Sequence, residues 1–159
     1  MNRLQQKLDD IRKQEEELQF ATFTNEMALQ LGLSIIQSAR EEEKAISVEI
    51  IRNGQVLFSH AMDGTSPDQT YWMTRKANVV RRHNHSSYYM RLYNELKERS
   101  YFEAYSVSPQ EYAVHGGSFP LSIQGVGVIG SITVSGLSQE EDHELAVQGI
   151  KNLIKNDKK

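Results

Sequence analysis

The chain has 159 residues, 38% of them hydrophobic and 25% charged, enough apolar content for one compact domain with a real core. It has no cysteine, which excludes disulfides, thiolate chemistry and cysteine-based metal sites. A net charge of −3 gives no general attraction to nucleic-acid backbones, and no apolar run approaches the roughly 20 residues of a membrane span, so neither partner is expected.

Residues Met1 to Lys7 lack the apolar stretch of a secretory leader, so a cytoplasmic chain is expected. Leu4, Leu8, Ile11 and Leu18 then recur at helical spacing among polar residues and predict an amphipathic helix. Its narrow stripe suits packing either on its own domain or on another subunit. A second helix is predicted from an N-cap at Thr24 toward Arg40, with Met27, Leu31 and Ile35 facing the core. Residues 1–40 thus read as two N-terminal helices of a single domain spanning 1–159. Two strands follow, Ala45 to Ile51 and Gln55 to Met62, joined by Asn53-Gly54, a dipeptide that takes positive φ at both positions of a tight hairpin turn. Pairing outward from that turn sets Ile46, Val48 and Ile50 beside Ala61, Ser59 and Leu57.

From Gln69 to Arg99 there is neither proline nor glycine, so the segment reads as helical, in one element or in two with a bend near Asn84 to Ser87. One line along it, Trp72, Lys76, Val79, His83, Ser86, Met90 and Tyr93, is apolar at its ends and polar in the middle. Arg75, Lys76, Arg81 and Arg82, with His83 and His85, give this stretch a basic side that suits a small anion, a solvated face or an ion-paired subunit contact. A short strand is predicted near Tyr112 to His115 and another over Phe119 to Gln124. Gly125 to Ser135 alternates with period two and carries no charge, as a central strand does. The last helix opens on the capping pattern Ser138-Gln139-Glu140-Glu141, and Ala146, Val147, Ile150, Leu153 and Ile154 form its buried stripe. Five strands, mostly antiparallel, and flanking helices make an α/β domain of the α+β kind.

Familiar catalytic patterns are missing. His83 and His85 are two residues apart, which puts them on different sides of a helix and argues against a metal pair. Gly125 to Gly130 matches a dinucleotide fingerprint in letters alone, since it lies inside a strand pattern. Asp142 and His143 fall in the first turn of the last helix, where a cap and a half-buried histidine are a simpler reading than a catalytic pair. The glycines Gly116 and Gly117 have no clear turn role, so they mark a place where a ligand or a neighbouring backbone comes close. With His115 beside them and Arg75 and Lys76 on the preceding helix, they form the candidate site.

The run His115-Gly116-Gly117-Ser118-Phe119-Pro120, the strand end Thr133-Val134-Ser135-Gly136 and the following Glu141-Asp142-His143 resemble the haem-degrading domain family, the GlcG-like and HbpS-like proteins, and in particular its cytosolic branch of bacteria and yeasts. Trp72-Met73-Thr74-Arg75-Lys76 and His85-Ser86-Ser87-Tyr88 belong to the matching block. The resemblance implies a profilin-like sandwich and assembly into dimers or larger rings. The resemblance implies much less about chemistry, and the ligand-binding candidates taken together are Trp72, Arg75, Lys76, His83, Ser86, Ser87, His115, Gly116 and Gly117, with haem or a small anion as ligand and His115 as an iron ligand should haem bind. It assigns no catalytic residue. The competing reading is an oligomeric interaction module in which the same residues hold a subunit interface.

Overall fold

The computed structural model describes residues 2–157. Two helices, α1 (Arg3–Glu17) and α2 (Asn25–Glu41), precede the hairpin strands β1 (Ser47–Arg52) and β2 (Gln55–Ala61). Helices α3 (Asp68–His83), α4 (Ser87–Leu96) and the short α5 (Tyr101–Tyr105) follow, then β3 (Ser118–Ile123), β4 (Gly127–Ser135) and the closing helix α6 (Gln139–Asp157). The sheet is antiparallel throughout, in the order β2-β1-β4-β3, so the uncharged run of the sequence does form a central strand.

The sheet has four strands among the described residues, where the sequence suggested five. The stretch Tyr112 to His115 joins no ladder, because the Ala113 N–H donates to the Arg75 carbonyl of α3 rather than to a strand. The hairpin forms around Asn53 and Gly54, both at positive φ, but its register also departs from the expected one. A bulge at Leu57 moves Phe58 opposite Ile50 and His60 opposite Val48. The extra residue turns the Phe58 ring onto the core side, where it fills the space left by the missing side chain of Gly32 in α2.

One face of the sheet packs on α2 and α6 through Val48, Ile50, Phe119, Leu121, Ile132 and Val134, all fully buried. Side chains alternate, so the other face, under α3, carries Ser47, Glu49, Ser131, Thr133 and Ser135. This second layer has its own apolar cluster farther out. Leu8 and Ile11 of α1 pack there with Val79, Tyr89, Met90 and Leu92, so the N-terminal stripe lies on its own domain.

The two edges of the sheet differ. On β3, the Ser118 N–H donates to the Ser87 hydroxyl, Pro120 has no N–H, and the Ser122 carbonyl accepts from Phe20 N–H. The Gln124 N–H, just beyond the strand, donates back to the Phe20 carbonyl. Strand β2 is the outer strand on the opposite side, with Val56 and His60 exposed and no Lys, Arg, Asp or Glu along it.

Candidate functional site

The proline-free and glycine-free segment is two helices. Asn84 ends α3 in the left-handed conformation (φ 59°), and Ser86 starts α4, its hydroxyl accepting from the Tyr89 N–H at 3.0 Å. The bend is further fixed by Glu15 of α1, whose carboxylate accepts from the Ser86 N–H (2.9 Å) and pairs with His85 Nδ1 (2.6 Å). Ser87 is committed to the β3 backbone through its hydroxyl. His83 Nε2 lies 2.8 Å from the Tyr101 hydroxyl, its ring edge-on to Tyr105, and burial lowers its pKa to about 4. Three of the expected ligand residues, His83, Ser86 and Ser87, therefore serve the α3–α4 junction and line no common hollow with the others.

Of the remaining candidates, three line one cleft. Trp72, Lys76 and His115 line a cleft of about 250 Å³ together with Gln69, Gly136, Gln139 and Asp142. The Trp72 and His115 rings meet edge to face at 5.2 Å between centroids, and the Arg75 guanidinium lies 4.3 Å over the Trp72 ring. Burial holds His115 below its ordinary pKa, with the cations of Arg91, Lys76 and Arg75 acting in the same direction, so the imidazole is neutral near pH 7. Gln139 accepts from the Gly116 N–H through Oε1, which leaves its amide NH₂ as a donor beside the cleft.

Lys76 is not part of an exposed basic face. It is 3% exposed, and its ammonium donates to Asp142 Oδ2 at 3.0 Å and to the Val134 carbonyl at 3.2 Å. Burial pushes Lys76 below its usual pKa, while the adjacent Asp142 carboxylate opposes that shift. Asp142, 2% exposed, also accepts from the Leu137 N–H at 3.0 Å, so it caps the turn into α6 as expected and pairs with Lys76 besides. Ser138 caps α6 too, its hydroxyl accepting from the Glu141 N–H. The polar centre of the α3 line had a buried partner 66 residues away, which no local pattern reveals.

Both glycines are explained by close approach of the protein itself. A Cβ at Gly116 would collide with the Gln139 carbonyl. One at Gly117, where φ is +138°, would collide with the Val134 carbonyl and lie 2.7 Å from Lys76 Nζ. The pair thus makes room for the ion pair and the α6 start, and the ligand alternative is not needed to account for it. His143 is fully buried rather than half-buried. Its Nε2 lies 2.9 Å from Gln14 Oε1 of α1, its Nδ1 has no partner among the described residues, and burial lowers its pKa to about 4.

Residues 23–151 match the family model described as haem-degrading protein, HbpS-like. A UPF0303 protein of Psychromonas ingrahamii is 40% identical over 149 residues, covering 94% of each chain. One from Streptomyces coelicolor is 41% identical over 145 residues, covering 91% of this chain and 92% of its own. Among solved structures, the Ybr137w protein superposes with a TM-score of 0.88 at 30% identity, covering 96% of this chain and 90% of its own. HbpS (TM-score 0.68, 21% identity, 85% and 92% covered) and PduOC, solved as a haem complex (0.67, 18%, 82% and 94%), share the fold.

Proposed function

The chain belongs to the HbpS-like family, and on that premise we propose that it binds a small anionic organic molecule in the cleft beside Trp72. The observation that carries this reading is the convergence of Trp72, neutral His115 and the Gln139 amide around one opening, with the Arg75 guanidinium over the Trp72 ring and the Lys76–Asp142 pair in the wall. Arg75 donates to the Tyr71 and Pro109 carbonyls only at 3.3 Å, and its fork keeps donors for a carboxylate. Pockets that enclose drug-sized ligands hold about 300–1,000 Å³, so a cleft of about 250 Å³ suits a compact acid and could not enclose a macrocycle.

The chain's single tryptophan is the reporter. Titration with acetate, succinate and inorganic phosphate should change Trp72 fluorescence for at least one. Arg75→Ala should weaken that binding about tenfold to a hundredfold, the equivalent of about 1.5–3 kcal/mol for a hydrogen bond to a charged group. Unchanged affinity in Arg75→Ala refutes the site. Haem, the ligand of the PduOC neighbour, is the alternative that His115 supports: a Soret band with haemin that His115→Ala abolishes would replace the small acid with haem at the mouth of the cleft.

Assembly of copies is the second reading, favoured by the exposure of Leu29 (42%), Leu33 (54%) and Val56 (51%) on α2 and β2. It predicts at least a dimer, and a monomer mass by light scattering at micromolar concentration rejects it. If Arg75→Ala dissociates that assembly while leaving every ligand's affinity unchanged, Arg75 belongs to the interface.

A further inference from the structure

The sheet face under α3 is built from short polar side chains, and these do not fill the space beneath the helix. One gap is the Trp72 cleft. A second and larger one, about 460 Å³, lies under the C-terminal half of α3, where Ala77, Asn78 and Arg81 face Ile51, Ile129 and Ser131. Its volume falls within the about 300–1,000 Å³ typical of small-molecule pockets.

Its chemistry is one-sided. None of its lining residues is acidic, and Arg81 has no carboxylate within ion-pair distance among the described residues. Ser131 is 6% exposed as a residue, and its hydroxyl has no protein hydrogen-bond partner among the described residues, so it is left open to the cleft. That hydroxyl is not sealed in, unlike the Ser47 hydroxyl on the same face. Asn78 spends its NH₂ on the Glu111 carbonyl at 2.8 Å and keeps its amide oxygen. The rest of the wall is apolar, from Ile51, Ala77, Val128 and Ile129.

We propose that this second cleft binds a compact apolar monocarboxylate, with its carboxylate on the Arg81 guanidinium and its body against Ile51, Ala77, Val128 and Ile129. A neutral ligand would leave the guanidinium without a counter-charge. A phosphate or dicarboxylate would bring a second negative charge to a site lined by a single cation and apolar walls. The Ser131 hydroxyl then donates to the bound carboxylate or to a water beside it, which supplies its missing partner.

The test is amide chemical-shift mapping of the full-length ¹⁵N-labelled chain with 2-naphthoate, and with 2-naphthalenemethanol as its neutral counterpart. Saturable shifts at Asn78, Arg81, Gly130 and Ser131 with 2-naphthoate are expected, with the alcohol binding more weakly. Arg81 is exposed, so Arg81→Gln should fold normally and bind 2-naphthoate about tenfold to a hundredfold more weakly. Equal binding of acid and alcohol, wild-type affinity in Arg81→Gln, or no saturable shift at these amides overturns the inference. Shifts confined to Trp72, His115 and Gly136 overturn it too, while leaving the Trp72 cleft as a site.

Discussion

Lys76→Met is expected to destabilise the fold by about 3–5 kcal/mol, the usual cost of removing one partner from a buried ion pair. Methionine matches the length of the lysine stem, so most of the loss comes from charge rather than volume. What remains is a carboxylate at 2% exposure that has lost its cation and keeps only backbone N–H donors such as that of Leu137. The double variant Lys76→Met/Asp142→Asn should recover most of the loss, because the asparagine side-chain oxygen still accepts from Leu137 and no buried charge is left. A pH dependence distinguishes this account from simple loss of packing. Burial already raises the Asp142 pKa with Lys76 present, and losing the lysine raises it further. A carboxyl whose folded pKa is raised contributes stability below its unfolded pKa and loses it as pH rises through the folded value, so the penalty of Lys76→Met should shrink on acidification. Urea denaturation of the three proteins at two pH values measures this. A single-variant cost below about 1 kcal/mol, in the range of exposed pairs, would show that water reaches the ammonium and that the pair is not sealed.

The second large effect is expected at His143. Its folded pKa of about 4 lies well below the unfolded value of 6.5 because the ring is buried, so the neutral form is the one the fold accepts. A depressed histidine contributes stability above its unfolded pKa and loses it as pH falls through the folded one. A shift from 6.5 to about 4 corresponds to about 3 kcal/mol, lost between pH 6.5 and 4. His143→Phe removes the titration and keeps a ring between Tyr88 and Phe119. At pH 7 this variant should be the less stable, since Gln14 loses its partner, and its stability should fall less steeply toward pH 4. A stability difference between the two proteins that stays constant across this range would contradict the assignment. The readout also follows α1, because Gln14 and Glu15 tie that helix to His143 and to His85 and Ser86.

The elements with local signals were legible in the sequence. Thr24 and Ser138 marked helix starts through side chains that satisfy nearby N–H groups, Asn53-Gly54 marked the hairpin through its positive φ, and period-two alternation marked β4. Features set by distant partners were not. The bulge at Leu57 depends on Gly32 of another element, and the proposed fifth strand failed because its donor faces α3. The residues proposed for the candidate site divide on the same physical ground. Trp72, Lys76 and His115 do meet, whereas His83 and Ser86, on the same helical line as Trp72 and Lys76, turn with Ser87 into the α3–α4 junction. A lysine at the centre of an otherwise packed helical line was the available signal for the buried pair. Asp142, already explained as a cap, concealed its second role.

The difference between the two sheet edges limits how far this protein can associate by strand addition. A sheet with both edges open can take a neighbour on each side, and every addition exposes a fresh edge, which is the geometry of a fibre. Here the Ser87 hydroxyl, Pro120 and the Phe20 backbone occupy one side, so only β2 can accept a strand. Two copies joined there would each turn a blocked side outward. Growth by this route stops at a pair, and opening the Phe20 bridge is the change that would turn a self-terminating contact into a propagating one.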